Sequence, residues 1–175
     1  LTVAPNFGYE LVARRMRTVP AHFHLSSLRA ALNGSEPVLR QTIDRFEELL
    51  APAGLRRGVI LPVYGLAENT LGVSFQMQAQ RDVDWVQGVR SIPSAGQPLP
   101  GTEVSIVNDS GEILTQGEIG EIAVSGPSVM SGYLFDEEAT RRTLRDGWLR
   151  TGDRGVISNG ALYITGREKE LVIKA

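Results

Sequence analysis

Four short polar stretches carry the side chains with the greatest chemical reach. They are Asn33-Gly34-Ser35-Glu36-Pro37, Tyr64-Gly65-Leu66-Ala67-Glu68, Thr151-Gly152-Asp153 and Gly166-Arg167-Glu168-Lys169. In the second, an aromatic ring beside a glycine offers a flat face to a planar base. An acid a few residues on holds a hard cation such as Mg²⁺ through oxygen. The plainer alternative is a buried strand followed by an ordinary turn, with Glu68 capping what comes next. Around Gly34, Ser35 and Glu36, the Asn-Gly and Glu-Pro pairs mark a tight loop. Such a loop either exposes backbone N–H and C=O groups to a ligand or only turns the chain before a helix. Thr151-Gly152-Asp153 is a common turn sequence, and Gly-Arg-x-Lys is common on basic surfaces. His22 and His24 flank Phe23, but with no third ligand in sight they do not read as a metal site.

The elements that must position these stretches follow from periodicity. Val59-Ile60-Leu61-Pro62-Val63-Tyr64 is a short apolar run, the pattern of a strand buried on both faces. Gly65 and the polar cluster after it then fall at the strand's carboxyl end, where open α/β sheets bind ligands. Leu39, Ile43, Phe46 and Leu50 follow helical spacing, and Pro52 and Gly54 close that helix. An earlier helix opens at Ala4-Pro5-Asn6, with Phe7, Leu11 and Met16 on its apolar side. Arg14, Arg15 and Arg17 at its end read as solvated rather than as an anion patch. Residues 28–32 suit helix and strand alike. Residues 74–97, with Gln76, Gln78, Gln80, Gln87, Asp82 and Asp84, read as a polar excursion containing a boundary.

After Gly96 the character becomes β-rich. Glu103–Val107 and Glu121–Ser125 alternate as half-buried strands do, and Asn108-Asp109-Ser110-Gly111 suits a hairpin turn. Asp136 caps a helix running to about Leu144. Asn159-Gly160 between Val156-Ile157 and Leu162-Tyr163-Ile164 is a strong hairpin signal. The expected fold class is mixed α/β: an α/β layer over residues 1–80 and a connecting segment over 81–95. A small distorted β-barrel-like subdomain over 96–166 follows, then a hinge beginning at 167–175.

The 175-residue chain suits one domain or two small ones, and 42% hydrophobic residues are enough for a real core. A net charge of −2 gives no reason to expect nucleic acid or an anionic membrane as partner. The absence of cysteine excludes disulfides and zinc–thiolate sites and favours a cytoplasmic location. No apolar run approaches the roughly 18–20 residues of a membrane span. The chain starts at Leu1 and stops on the β-like run Leu171–Ala175, which reads as a piece cut from a larger protein.

The order of the four polar stretches carries more information than any one of them. Between them lies Gly120-Glu121-Ile122-Ala123-Val124-Ser125-Gly126-Pro127, leading to Gly132-Tyr133-Leu134. In that order the chain resembles the adenylate-forming superfamily of acyl-CoA synthetases, fatty acyl-AMP ligases and peptide-synthetase adenylation domains. Ala4-Pro5-Asn6-Phe7, Leu32-Asn33-Gly34-Ser35-Glu36-Pro37-Val38 and Tyr64-Gly65-Leu66-Ala67-Glu68 look most like the fatty acyl-AMP ligase branch. Many relatives have threonine where this chain has Ala67.

The resemblance implies part of a large N-terminal domain that activates a long-chain fatty acid with Mg·ATP. Acyl-AMP and pyrophosphate are the products, and the acyl group then passes to a carrier-protein thiol. It implies that Gly34, Ser35 and Glu36 line the adenine pocket, and that Tyr64 stacks on adenine beside Gly65 and Ala67. It implies further that Glu68 binds Mg²⁺, Asp153 accepts from the ribose hydroxyls, and Arg167 reaches ribose or phosphate. Lys169 matches the hinge. The family's phosphate loop is expected before residue 1 and its catalytic lysine after Ala175, so no catalytic residue is expected within the chain. The stretch Gly120–Tyr133 is expected to be structural. Fatty acyl-AMP ligases usually carry an insertion before the β-rich half, and residues 72–96 are too short to hold it. Either that segment is missing from this chain or the protein lies nearer the CoA-using branch, which bears on the acceptor and not on the adenylation. The nearest alternative is an acyl-CoA ligase or a peptide-synthetase adenylation domain. A non-catalytic nucleotide-binding relative and a β-rich interaction module are the more distant ones.

Overall fold

The computed structural model describes residues 1–76, 85–87 and 90–167. The helices are α1 (Asn6–Arg15), α2 (Arg40–Leu50) and α3 (Glu137–Thr143). The first strands are β1 (Thr2–Pro5), β2 (Ala31–Gly34), β3 (Ile60–Leu66), β4 (Leu71–Phe75), β5 (Trp85–Gln87), β6 (Arg90–Ile92) and β7 (Gln97–Pro98). They are followed by β8 (Glu103–Val107), β9 (Gly120–Ser125), β10 (Leu144–Arg145), β11 (Trp148–Ser158) and β12 (Ala161–Arg167).

The first sheet has the order β1-β2-β3-β4-β7, while β5 and β6 form a two-stranded sheet among the described residues. Its β1-β2-β3 part is parallel, and β4 and β7 join antiparallel. Parallel strands need crossovers, and α1 and α2 supply them. Ile43 and Leu50 of α2 bury against Tyr9 of α1 and against Ala31, Val59 and Ile60 of the sheet side. Tyr9 and Phe46 meet edge-on, with ring centroids 5.0 Å apart. The helical stripe of α2 thus packs as its spacing predicts, except that Leu39 is the exposed N-cap. The expected apolar side of α1 is not the buried one. Phe7 and Leu11 are exposed, and Asn6 and Tyr9 turn inward. The reason is that Asn6 serves a polar network: its Oδ1 accepts from the Leu39 N–H and the Asn33 amide.

The second sheet is antiparallel, ordered β10-β11-β9-β8, with β12 also on β11, and it curls into a half-barrel. The Asn159-Gly160 turn joins β11 to β12, both residues having positive φ, as a two-residue hairpin requires. Asp136 caps α3 by accepting from the Ala139 N–H at 2.8 Å. The two sheets face each other across a core of Tyr64 and Val73 on one side and Ile122, Val124, Leu149 and Leu162 on the other. The seam is stitched by main-chain bonds, Ala95 N–H to Leu162 C=O and Leu162 N–H to Gly96 C=O, both 2.8 Å. Among the described residues, no helix is long and apolar enough to cross a membrane.

Candidate functional site

β3 alternates in burial along its length, so Tyr64 points inward to the core between the sheets. Tyr64 and Gly65 do not end this strand. Pairing with β4 continues to Leu66 through a register shift between Tyr64 and Gly65. The shift is why residue 65 is glycine: a Cβ there would fall on the Leu71 carbonyl oxygen. A short 3₁₀ turn, Ala67–Asn69, follows and lifts Glu68 to the mouth between the sheets. Asn69 is buried and donates to the Gly72 carbonyl at 2.7 Å, which locks that turn.

Thr151-Gly152-Asp153 is not a turn between elements. It is an arch inside β11, where the register with β9 jumps between Arg150 and Arg154. Each residue type has a task in the arch. The Thr151 hydroxyl donates to the Ile122 carbonyl at 2.7 Å and accepts from the Asp153 N–H at 3.1 Å. Gly152 takes φ +70°, a left-handed conformation that glycine adopts without strain. Its N–H donates to Glu121 Oε1 at 2.9 Å. The other Glu121 oxygen takes the Arg150 guanidinium, with Nε at 2.7 Å.

Asp153, 6% exposed, is the hub. Its Oδ2 accepts from the Tyr64 hydroxyl at 2.7 Å and its Oδ1 from Arg167 Nε at 2.6 Å. Burial, and then the Asp153 charge, push the Tyr64 phenol well above its ordinary pKa, so it stays a donor. The hydrogen bond and charge of Asp153 likewise hold Arg167 protonated. The Arg167 side chain is 68% exposed. Among the described residues Asp153 thus has one side-chain donor on each oxygen, and each oxygen has a second lone pair for a further hydroxyl.

Between the sheets opens a cavity of about 610 Å³, within the usual range for small-molecule sites. Glu68, Thr151, Gly152 and Arg167 line it, together with Tyr133 and Arg150. Tyr64, Gly65 and Ala67, on β3 and the turn that follows, and the buried Asp153 are not themselves among the lining residues, although their chain neighbours Leu66, Glu68 and Gly152 are. Gly34 is buried against Val63, next to Tyr64. Ser35 and Glu36 are exposed, and the Glu36 carboxylate accepts the Phe7 N–H at the start of α1. These three residues are not part of the cavity lining. Lys169 lies outside the described residues.

Tyr133, Glu121 and Arg150 are not among the site residues that the sequence points to. The Tyr133 hydroxyl donates to Glu68 Oε1 at 2.7 Å. The stretch Gly120–Tyr133 reads as structural, and only the glycine before Tyr133 hints at a placed aromatic. Among the described residues, no group of three or more His, Cys, Asp or Glu could cage a metal. Of the cavity's carboxylates, Glu68, Asp109 and Glu121, Glu121 is taken by Arg150 and the Gly152 N–H, and Glu68 suits Mg²⁺, which is commonly held by one or two carboxylates plus the phosphates of its substrate.

The sequence model of the AMP-binding enzyme family matches residues 1–134. A medium-chain-fatty-acid–[acyl-carrier-protein] ligase of Moorena producens is 35% identical over 97% of this chain and 34% of its own length. A long-chain-fatty-acid–AMP ligase of Mycolicibacterium smegmatis is 34% identical over 99% of this chain and 34% of its own length. Among solved structures, a fatty acyl-adenylate ligase from L. pneumophila, in complex with acyl adenylate and pyrophosphate, superposes with a TM-score of 0.88. It is 31% identical, over 98% of this chain and 34% of that one. The chain therefore spans about a third of the length of the relatives it matches. Its two facing sheets share the fold of that structure, and the chain belongs to the AMP-binding enzyme family.

Proposed function

We propose that this chain supplies the nucleotide-holding part of a ligase that activates a fatty acid as its acyl-adenylate. The observation that carries the reading is the convergence of Tyr64 and Arg167 on the Asp153 carboxylate, beside a cavity lined by Arg167, Gly152 and Glu68. A fatty-acid carboxylate oxygen attacks the α-phosphorus of ATP, the bond from that phosphorus to the bridging oxygen breaks, and pyrophosphate leaves. In this reading Asp153 accepts from the ribose hydroxyls through its remaining lone pairs. Arg167 places a fixed cation near ribose or phosphate. Gly34, Ser35 and Glu36, with Tyr64, Gly65 and Ala67, border the adenine. Glu68 binds Mg²⁺, which supplies charge neutralisation on the phosphates. Residues 167–175, with Lys169, enter the hinge to a smaller domain, and a carrier-protein thiol accepts the acyl group.

A second reading is an acyl-CoA ligase, supported by the 35% identity of a putative acyl-CoA synthetase of Caulobacter vibrioides over 99% of this chain. The experiment uses the longest natural polypeptide that contains this chain. It is incubated with Mg·ATP and a panel of fatty and amino acids, with and without CoA, and the products are identified by mass spectrometry. Acyl-AMP that accumulates with CoA present supports the first reading. Acyl-CoA moves the protein to the second. The absence of every adenylate overturns both.

A further inference from the structure

We infer that Tyr133 is a positioning residue for the cation site, fixing the Glu68 carboxylate so that one oxygen stays free for a divalent metal. The inference rests on the reading of Glu68 given above.

After β9 the chain leaves at Gly126-Pro127 and lies across the turn that carries Glu68. Its contacts there are specific. The Met130 N–H donates to the Glu68 carbonyl at 2.7 Å, and the Thr70 hydroxyl donates to the Ser128 carbonyl at 2.7 Å. These two bonds dock the loop through its main-chain atoms. The third, Tyr133 hydroxyl to Glu68 Oε1 at 2.7 Å, reaches the carboxylate itself.

Tyr133 is in turn anchored from behind. Its N–H donates to the Thr140 hydroxyl at 2.9 Å, and that hydroxyl donates to the Asp136 carbonyl at 2.8 Å. Gly132 lets the backbone press against Thr140, because a Cβ at 132 would strike the threonine side chain. The phenol is therefore mounted on the start of α3, not on a free loop.

A neutral donor is suited to this position. Glu68 shares its cavity with Arg142, Arg145, Arg150 and Arg167. A carboxylate free to swing among guanidinium groups would pair with one, and its charge would be offset by that cation rather than offered to a metal. The tyrosine hydroxyl satisfies one oxygen without neutralising the group. Among the described residues, Glu68 Oε2 accepts no hydrogen bond. Partners that orient a metal-binding carboxylate typically account for a roughly 10- to 100-fold effect on metal affinity.

The test uses the longest natural polypeptide containing the chain, with Mn²⁺ as the probe. Its binding is followed by electron paramagnetic resonance in the presence of ATP, alongside melting temperature. Tyr133→Phe should weaken Mn²⁺ binding about 10-fold or more with the melting temperature nearly unchanged, and Glu68→Gln should weaken it further. The double variant should bind no worse than Glu68→Gln alone. Thr70→Ala, which loosens the loop without touching the carboxylate, should bind Mn²⁺ as the unaltered protein does. Wild-type Mn²⁺ affinity in Tyr133→Phe, with affinity lost in Glu68→Gln, overturns the role of Tyr133 and leaves that of Glu68 standing. Wild-type affinity in Glu68→Gln overturns the reading of Glu68 and this inference with it. An equal loss in Thr70→Ala shows loop docking alone and also overturns it. Should Tyr133→Phe not fold, Thr140→Ala, which cuts the anchor behind the ring, replaces it, and wild-type Mn²⁺ affinity there overturns the inference.

Discussion

The Tyr64 hydroxyl donates to Asp153 at 2.7 Å, joining residues 89 positions apart across the seam between the two sheets. This bond is both a structural stitch and half of the clamp on the carboxylate. Tyr64→Phe keeps the ring and removes only the donor. Because the acceptor is charged and buried, the loss should cost roughly 1.5–3 kcal/mol, read as a lowered midpoint in urea unfolding. Nucleotide affinity should fall in the same variant, since Asp153 then hangs on Arg167 alone.

Glu121 and Arg150 form a largely buried pair behind the arch, with side chains 10% and 13% exposed. Glu121→Gln leaves an acceptor for the Gly152 N–H but strands the Arg150 charge. Breaking such a pair from one side should cost about 3 kcal/mol or more. Combining Glu121→Gln with Arg150→Met removes the stranded charge and should recover part of that loss. Chemical denaturation of the single and double variants checks both statements.

Gly65→Ala should abolish folding or yield insoluble protein. The added Cβ collides with the main chain of Leu71 on the paired strand, and a backbone oxygen cannot rotate aside. Gly152→Ala meets no neighbour, yet it places alanine at φ +70°. It should cost about 1 kcal/mol. Comparing the expression and melting temperatures of the two variants separates collision from backbone strain.

Alkaline titration should expose Tyr9. Burial raises its pKa from 10.0 to about 12, against a weaker opposing backbone hydrogen bond at Ala4. The hydroxyl donates to the Leu32 carbonyl. Between those two values the folded state holds a proton that the unfolded state has released. Stability is therefore complete below pH 10 and falls as pH rises towards 12. Tyr9→Phe should reduce this loss, the remainder coming from the Tyr64 and Tyr133 phenols, whose pKa values are also raised, as followed by the urea midpoint at several pH values.

What the sequence makes legible is mostly local. The α2 stripe, the Asp136 cap and the Asn159-Gly160 hairpin depend on residues a few positions apart, and each lies where the spacing places it. The departures share a cause in distant partners. β3 runs on through Gly65 because β4 bulges to meet it. The Thr-Gly-Asp stretch is an arch within a strand because Glu121 and Ile122 hold it from β9. Phe7 and Leu11 read as core, yet Asn6 and Tyr9 are buried, because Asn6 answers polar groups at Asn33 and Leu39. β1 merges with the helix start in the sequence pattern, since four residues ending in proline carry no periodicity of their own. At the site, residue types point to Glu68, Asp153 and Arg167, which the structure brings to one seam. Tyr133 stays hidden because its distinguishing contact is with a turn 65 positions earlier.

β11 bonds to β9, β10 and β12, and its arch is pinned from below by Thr151 and Glu121. The mount for Asp153 is consequently ordered before any ligand arrives. A molecule that draws on this carboxylate meets little loop-ordering entropy at 151–153. The exposed Arg167 side chain is the part that must be immobilised. Differences in affinity among ligands should therefore arise less from the fixed arch than from how well each one arrests that arginine.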